Sequence, residues 1–237
     1  MHRILILLVG LLLPGSGWAA ISCGTVTPFN DATPTNPETI AYTTPAGTNQ
    51  VLFVGVASRG TVITIVGASH AGNAMTPIDT ASFLSPIGVR MFYLVNPASG
   101  INNVSVGFSA TPLSDAVVIW TCSGVDTSSP LRAIASATGT GTAVSVTVSG
   151  VQSGDVVLDM FGSDVQTTDP TVGANQTVLN RGNDGGELGW GASQQPGANG
   201  GVMSWTTALS QEWASQSVAI KALGATPTRR HEGVTLP

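Results

Sequence analysis

Charge is what this sequence has least of. Of its 237 residues only 9% are Asp, Glu, Lys or Arg, 13 acidic against 8 basic, for a formal net charge of −5. Lys221 is the one lysine. Neutralising a phosphate backbone takes clustered cations. The chain cannot build such a patch, so nucleic acid is excluded as the expected partner, and an anionic membrane surface with it. Aromatics are also scarce, at 5%. The three histidines are His2, His70 and His231, with no pair at ligand spacing, which argues against a zinc site. There is no G-x-S-x-G elbow, and His70 is the one candidate base away from the two ends. No segment keeps a 3.6-residue apolar period for three turns, so no helix is expected. No catalytic residue is predicted.

The N-terminus carries an export signal. His2 and Arg3 precede an apolar run, residues 4–13, and then the small-residue-rich stretch PGSGWAA. This is the layout of a secretory signal peptide over residues 1–19, cleaved after Ala19. The run is too short to anchor in a bilayer, so no transmembrane helix is expected after cleavage. The expected location is secreted, extracellular or at the cell surface. A second export reading rests on AISC, residues 20–23, which resembles a lipobox and would anchor the chain by a lipid on Cys23. The two cysteines, Cys23 and Cys122, are a default disulfide pair in an oxidising compartment. A loop of about 100 residues closed this way is worth about 4–5 kcal/mol in the chain-entropy model. Lipid and disulfide compete for the one sulfur of Cys23.

The rest reads as short strands separated by turns. QVLFVGVAS (50–58) and TVITIVGAS (61–69) flank Arg59-Gly60, a tight-hairpin signal. NNVSVGFS (102–109) and AVSVTVSG (143–150) alternate cleanly, whereas DAVVIWTC (115–122) is apolar on both faces, as a central strand is. GDVVLDMFGS (154–163), QTVLNRG (176–182), ELGWGAS (187–193), GVMSWTTA (201–208) and EWASQSVAIKAL (212–223) follow. Turn signals about every 8–12 residues mark an all-β domain. The expected fold is a two-sheet antiparallel β-sandwich of jelly-roll type over residues 20–224, with 225–237 a flexible tail. Residues 25–44 are expected as a local edge strand with an irregular lead.

The order of PAGTNQVLFVGVAS, VRMFYLVNPASGINNVSVGFS, SGVDTSSPL, GDVVLDMFGS, GANQT and MSWT…WASQSVAIKA resembles a β-sandwich domain that recurs in secreted proteins of environmental bacteria. The resemblance spans about residues 41–223. It implies a secreted single-domain sandwich with a surface or extracellular role, and it carries over no catalytic residue.

Candidate sites are few. Asn183, Asp184 and Glu187 share a glycine-rich loop whose oxygens suit calcium, the one cofactor considered. Trp190, set between glycines beside that loop, is the candidate for an exposed sugar-stacking platform. Trp120 reads as core, and Trp205 and Trp213 flank the last hairpin. Asp155 and Asp159 are four apart in one strand segment and so share a face. Glu187 and Glu212 are the other carboxylates with room to converge. The leading expectation is therefore a non-enzymatic extracellular binding or adhesion module, with glycan as ligand class. A self-assembling structural subunit that binds copies of itself comes next, and a polysaccharide-active enzyme third.

Overall fold

A computed structural model describes residues 20–224; the predicted signal peptide and the predicted tail, residues 225–237, lie outside the described residues. The chain runs through β1 (Ser22–Asp31), β2 (Glu38–Thr44), β3 (Gln50–Arg59), β4 (Ile65–His70), β5 (Asn73–Ala74) and β6 (Thr76–Pro77). It continues through β7 (Ser82–Leu84), β8 (Ile87–Val95), β9 (Gly100–Phe108), β10 (Ser114–Ser123) and β11 (Leu131–Thr147). It closes with β12 (Val156–Asp164), β13 (Thr171–Val172), β14 (Thr177–Asn183), β15 (Leu188–Pro196) and β16 (Val202–Ile220). The one helical turn among the described residues is a 3₁₀ segment, Gly197–Asn199.

The strands form three antiparallel sheets. The central sheet has the order β1-β10-β3-β8-β6, with β7 also on β8. A small outer sheet runs β2-β9-β4-β5, and a large outer sheet runs β11-β16-β12-β15-β14, with β13 on β16. The expected all-β sandwich is present, with three sheets where two were expected.

The reason lies in β3 and β10, the middle of the central sheet. Both are buried along nearly their whole length. Successive side chains point to opposite faces, so a strand that is apolar at every position needs a cover on each side. Phe53, Val118 and Trp120 pack with Leu158, Met160 and Val218 of the large sheet. Leu52, Val54 and Ile119 pack with Ile40, Val104 and Val106 of the small sheet. Fully burying each such side chain contributes about 1.5–3 kcal/mol.

Two sequence expectations change. Arg59-Gly60 does not make a hairpin, because β3 pairs with β8 and β10 while β4 pairs with β9 in another sheet. Residues 60–64 form a crossover instead, pinned by the Gly60 amide on the Pro86 carbonyl and by buried Ile63. GVMSWTTA and EWASQSVAIKAL are not two arms of a hairpin. They are one strand, β16, which follows β11 along a long ribbon whose register shifts between Gly141 and Ala143. Past that shift, Trp205 on the far half of β16 packs on Phe161 of β12, with ring centroids 5.0 Å apart.

Tryptophans of the large sheet lie over glycines. Trp213 covers its cross-strand partner Gly139, where a Cβ would meet the indole at 2.6 Å. Trp190 covers its partner Gly182 in the same way. Bare backbone at those positions is what lets the indoles lie flat on the sheet.

Candidate functional site

The loop between β14 and β15 is a joint between sheets. Asp184 Oδ1 accepts the Glu187 and Leu188 amides at 2.8 and 2.7 Å, closing the turn. Its Oδ2 accepts the hydroxyl of Ser114 on β10. The Asn183 amide donates to Asp169 at 2.7 Å, and its Oδ1 accepts the Gly185 amide. Arg59 of β3 reaches in, with Nε on Asp164 Oδ1 at 2.5 Å and Nη1 on Glu187. Partial burial works against the guanidinium charge, but Asp164, Glu187 and Asp184 outweigh it and raise its pKa. The oxygens singled out for calcium thus close a turn and tie the central sheet to the large one. Among the described residues no three of His, Cys, Asp and Glu are grouped to hold a metal ion.

Trp190 lies beside this loop but is not an exposed platform. It is 4% exposed, packs in the core between the central and large sheets, and donates its indole N–H to Asn180 at 2.9 Å. The flanking glycines that suggested openness serve close packing instead. Trp120 is fully buried, as expected, and Trp205 and Trp213 are buried too.

Asp155 and Asp159 do not pair. Asp155 precedes β12 and takes a two-pronged bond from Arg132, at 2.5 and 3.0 Å, plus the Gln152 amide at 2.8 Å. Asp159 is fully buried and accepts the Ser193 amide, the Ser193 hydroxyl and the Trp205 indole N–H, each at 2.7 Å. Burial raises its pKa to about 7 against the pull of those donors. Gln176 donates to the same Ser193 hydroxyl and accepts the Ser204 amide, so the network fastens the folded-over ribbon to the sheet below. Glu187 is held by Arg59, and Glu212 lies opposite Thr140. His70 is buried with Nε2 3.1 Å from the Thr44 hydroxyl, and burial lowers its pKa. His231 lies outside the described residues.

The Cys23–Cys122 disulfide is formed, between residues directly opposite in β1 and β10 with Cα atoms 4.0 Å apart. The N-terminal strand is therefore folded onto its own sheet, and the sulfur that a lipid anchor needs is in the bond. Residues 21–23 line a cleft of about 250 Å³ with Val156, Thr177 and Gln194.

One site escaped the sequence reading. Asp115 stands in β10 between Asp31 of β1 and Ser58 of β3 in register, with all three side chains on the face toward the small sheet. Asp115 is fully buried and neither carboxyl oxygen has a hydrogen-bond partner. Burial first, then Glu38 and Asp31, raise its pKa to about 7. An Asp heading an otherwise apolar strand was the available signal; its depth was not visible without the third sheet.

The exposed surface has a different character. The outward face of the small sheet shows Thr39, Ala41 and Thr43 from β2 and Ile101, Asn103 and Ser105 from β9. Alongside them, Val66, Gly67 and Ser69 of β4 help line a shallow depression of about 290 Å³. None of these residues is charged. Compared with protein-family models, with curated proteins and with solved structures, the chain matches none.

Proposed function

We propose that this protein is a secreted, non-enzymatic binding or adhesion module working at or outside the cell surface, with uncharged glycan as its ligand class. The observation that carries the proposal is the outward face of the small sheet, an exposed surface of hydroxyl, amide and small apolar groups without a charge. Hydroxyls and amides exchange hydrogen bonds with sugar hydroxyls, and Ile101, 77% exposed, offers an apolar patch to a ring face. The disulfide supports an oxidising, extracytoplasmic compartment. Asp155, Asp159, Glu187 and His70 are engaged in turns, ion pairs and the core, which favours contact over chemistry.

The test is retention of the mature protein on a panel of neutral polysaccharides, beside the variant Asn103→Lys/Ser105→Lys. Wild type is expected to be retained on at least one, and the variant to be lost with unchanged unfolding. No retention of wild type on any glycan overturns the ligand class. Equal retention of both moves the site off this face.

A second reading, a self-assembling structural subunit, is favoured by β11. This strand is 17 residues long and stands at the edge of the large sheet.

A further inference from the structure

We infer that two copies of this chain join edge to edge through β11, antiparallel about a two-fold axis, so that their large sheets become one. The inference rests on the self-assembly reading and names its surface and partner.

A sheet edge presents unpaired N–H and C=O groups, and proteins blunt it with short strands, prolines, bulges or charges. The other edges here carry such devices. β1 has Pro28, a bulge between Gly24 and Thr27, and the disulfide. β6 and β5 are two residues each, and β6 ends in Pro77. β2 is seven residues long and is bracketed by Pro37 and Pro45. β14 carries Arg181 and a bulge between Val178 and Asn180. β11 differs: residues 133–147 contain no proline and no charge, and residues 133–141 pair with β16 without a register shift.

The backbone of β11 also faces the right way. The Val165 amide on Glu187 and the Gly197 amide on Asp155 turn the odd residues of β12 toward β15, which leaves its even residues facing the even residues of β16 and the odd residues of β16 facing β11, so Ala137 pairs with Ser215 through the ladder. Backbone groups of a paired strand alternate in direction, which sets those of Ser136, Thr138 and Thr140 on the open edge. A second copy fits this edge for three reasons. The run ASATGTG (135–141) is small-sided, so two backbones can approach to ladder distance. It is uncharged, so a copy of itself meets no like charge. Antiparallel pairing of identical strands is two-fold and closes at the dimer. With the axis at Gly139, Thr138 of one copy stands opposite Thr140 of the other.

Light scattering on size-exclusion fractions of the disulfide-intact protein tests this, over a dilution series with hydrogen exchange at the Thr138 amide. Wild type is expected at twice the mass of one chain, with that amide protected more as concentration rises. Thr138→Lys/Thr140→Lys sets like charges face to face in the pair. It should raise the dissociation constant about tenfold or more while leaving thermal unfolding unchanged. Thr39→Lys, on the small sheet, should leave the dimer intact. A wild type that is monomeric at every concentration overturns both the pairing and the self-assembly reading. A wild type that assembles equally well with both lysines in place overturns β11 alone, and places self-association on another surface.

Discussion

Replacing Asp115 by Asn should remove a pH dependence that the wild-type fold carries. Asp115 sits at the end of the apolar layer between the central and small sheets, fully buried and without a hydrogen-bond partner. The groups that face it from neighbouring strands are Asp31 on β1, Ser58 on β3 and Glu38 on β2, two of them acids. The nearby cations point elsewhere: Arg59 to Asp164 and Glu187, and Arg90 to the Ile65 and Val66 carbonyls. A carboxylate so placed favours its neutral form, with a pKa raised from 3.8 to about 7. Between those values the folded chain holds a proton that the unfolded chain has released. The contribution of Asp115 to stability is therefore greatest below about pH 4 and falls by about 1.4 kcal/mol per pH unit, levelling off above about pH 7. The whole window amounts to roughly 4 kcal/mol. Asp159 titrates over the same range, so the diagnostic quantity is the difference between wild type and Asp115→Asn. Urea midpoints at pH 4, 5, 6, 7 and 8 should show the variant gaining on wild type up to pH 7 and no further. Parallel curves across that range would refute the assignment of the proton to Asp115.

Other perturbations have distinct signatures. Asp126→Asn should act with the opposite sign: the Ser128 hydroxyl lowers the pKa of Asp126, so its contribution is present above the usual carboxylate range and lost on acidification, read in the same titration. Reducing the disulfide, or Cys23→Ser/Cys122→Ser, should cost about 2–5 kcal/mol in denaturant unfolding; unchanged stability would mean that β1 is held by its ladder alone. Arg132→Ala leaves the buried Asp155 without its charge partner and should destabilise by about 3–5 kcal/mol, with Arg132→Ala/Asp155→Ala recovering part of the loss. Gly139→Val drives a side chain into the Trp213 indole and should cost about 1–3 kcal/mol, relieved by Trp213→Ala.

What the sequence disclosed follows from which interactions are local. Alternation in 102–109 and 143–150, and the unbroken apolar runs of β3 and β10, are properties of a strand and its two faces, so strand type and the burial of Trp120 were readable. Which sheet a strand joins is not local. Arg59-Gly60 has hairpin chemistry, yet β3 already has β8 and β10 on its two edges, and no edge remains for β4. The same limit explains the candidate site. Asn183, Asp184 and Glu187 have turn chemistry and ligand chemistry alike, and Arg59, 128 residues before Glu187, joins them from another sheet, a contact no local pattern discloses. Trp190 looked open because glycines flank it, but glycine beside tryptophan is also what close packing needs. Lack of charge, the first property of the sequence, carries furthest. It leaves β11 without the lysine or proline that guards an edge, and it leaves the outward face of the small sheet neutral. The proposals of contact at that face and at that edge both rest on this one property, and a lysine placed on either tests it.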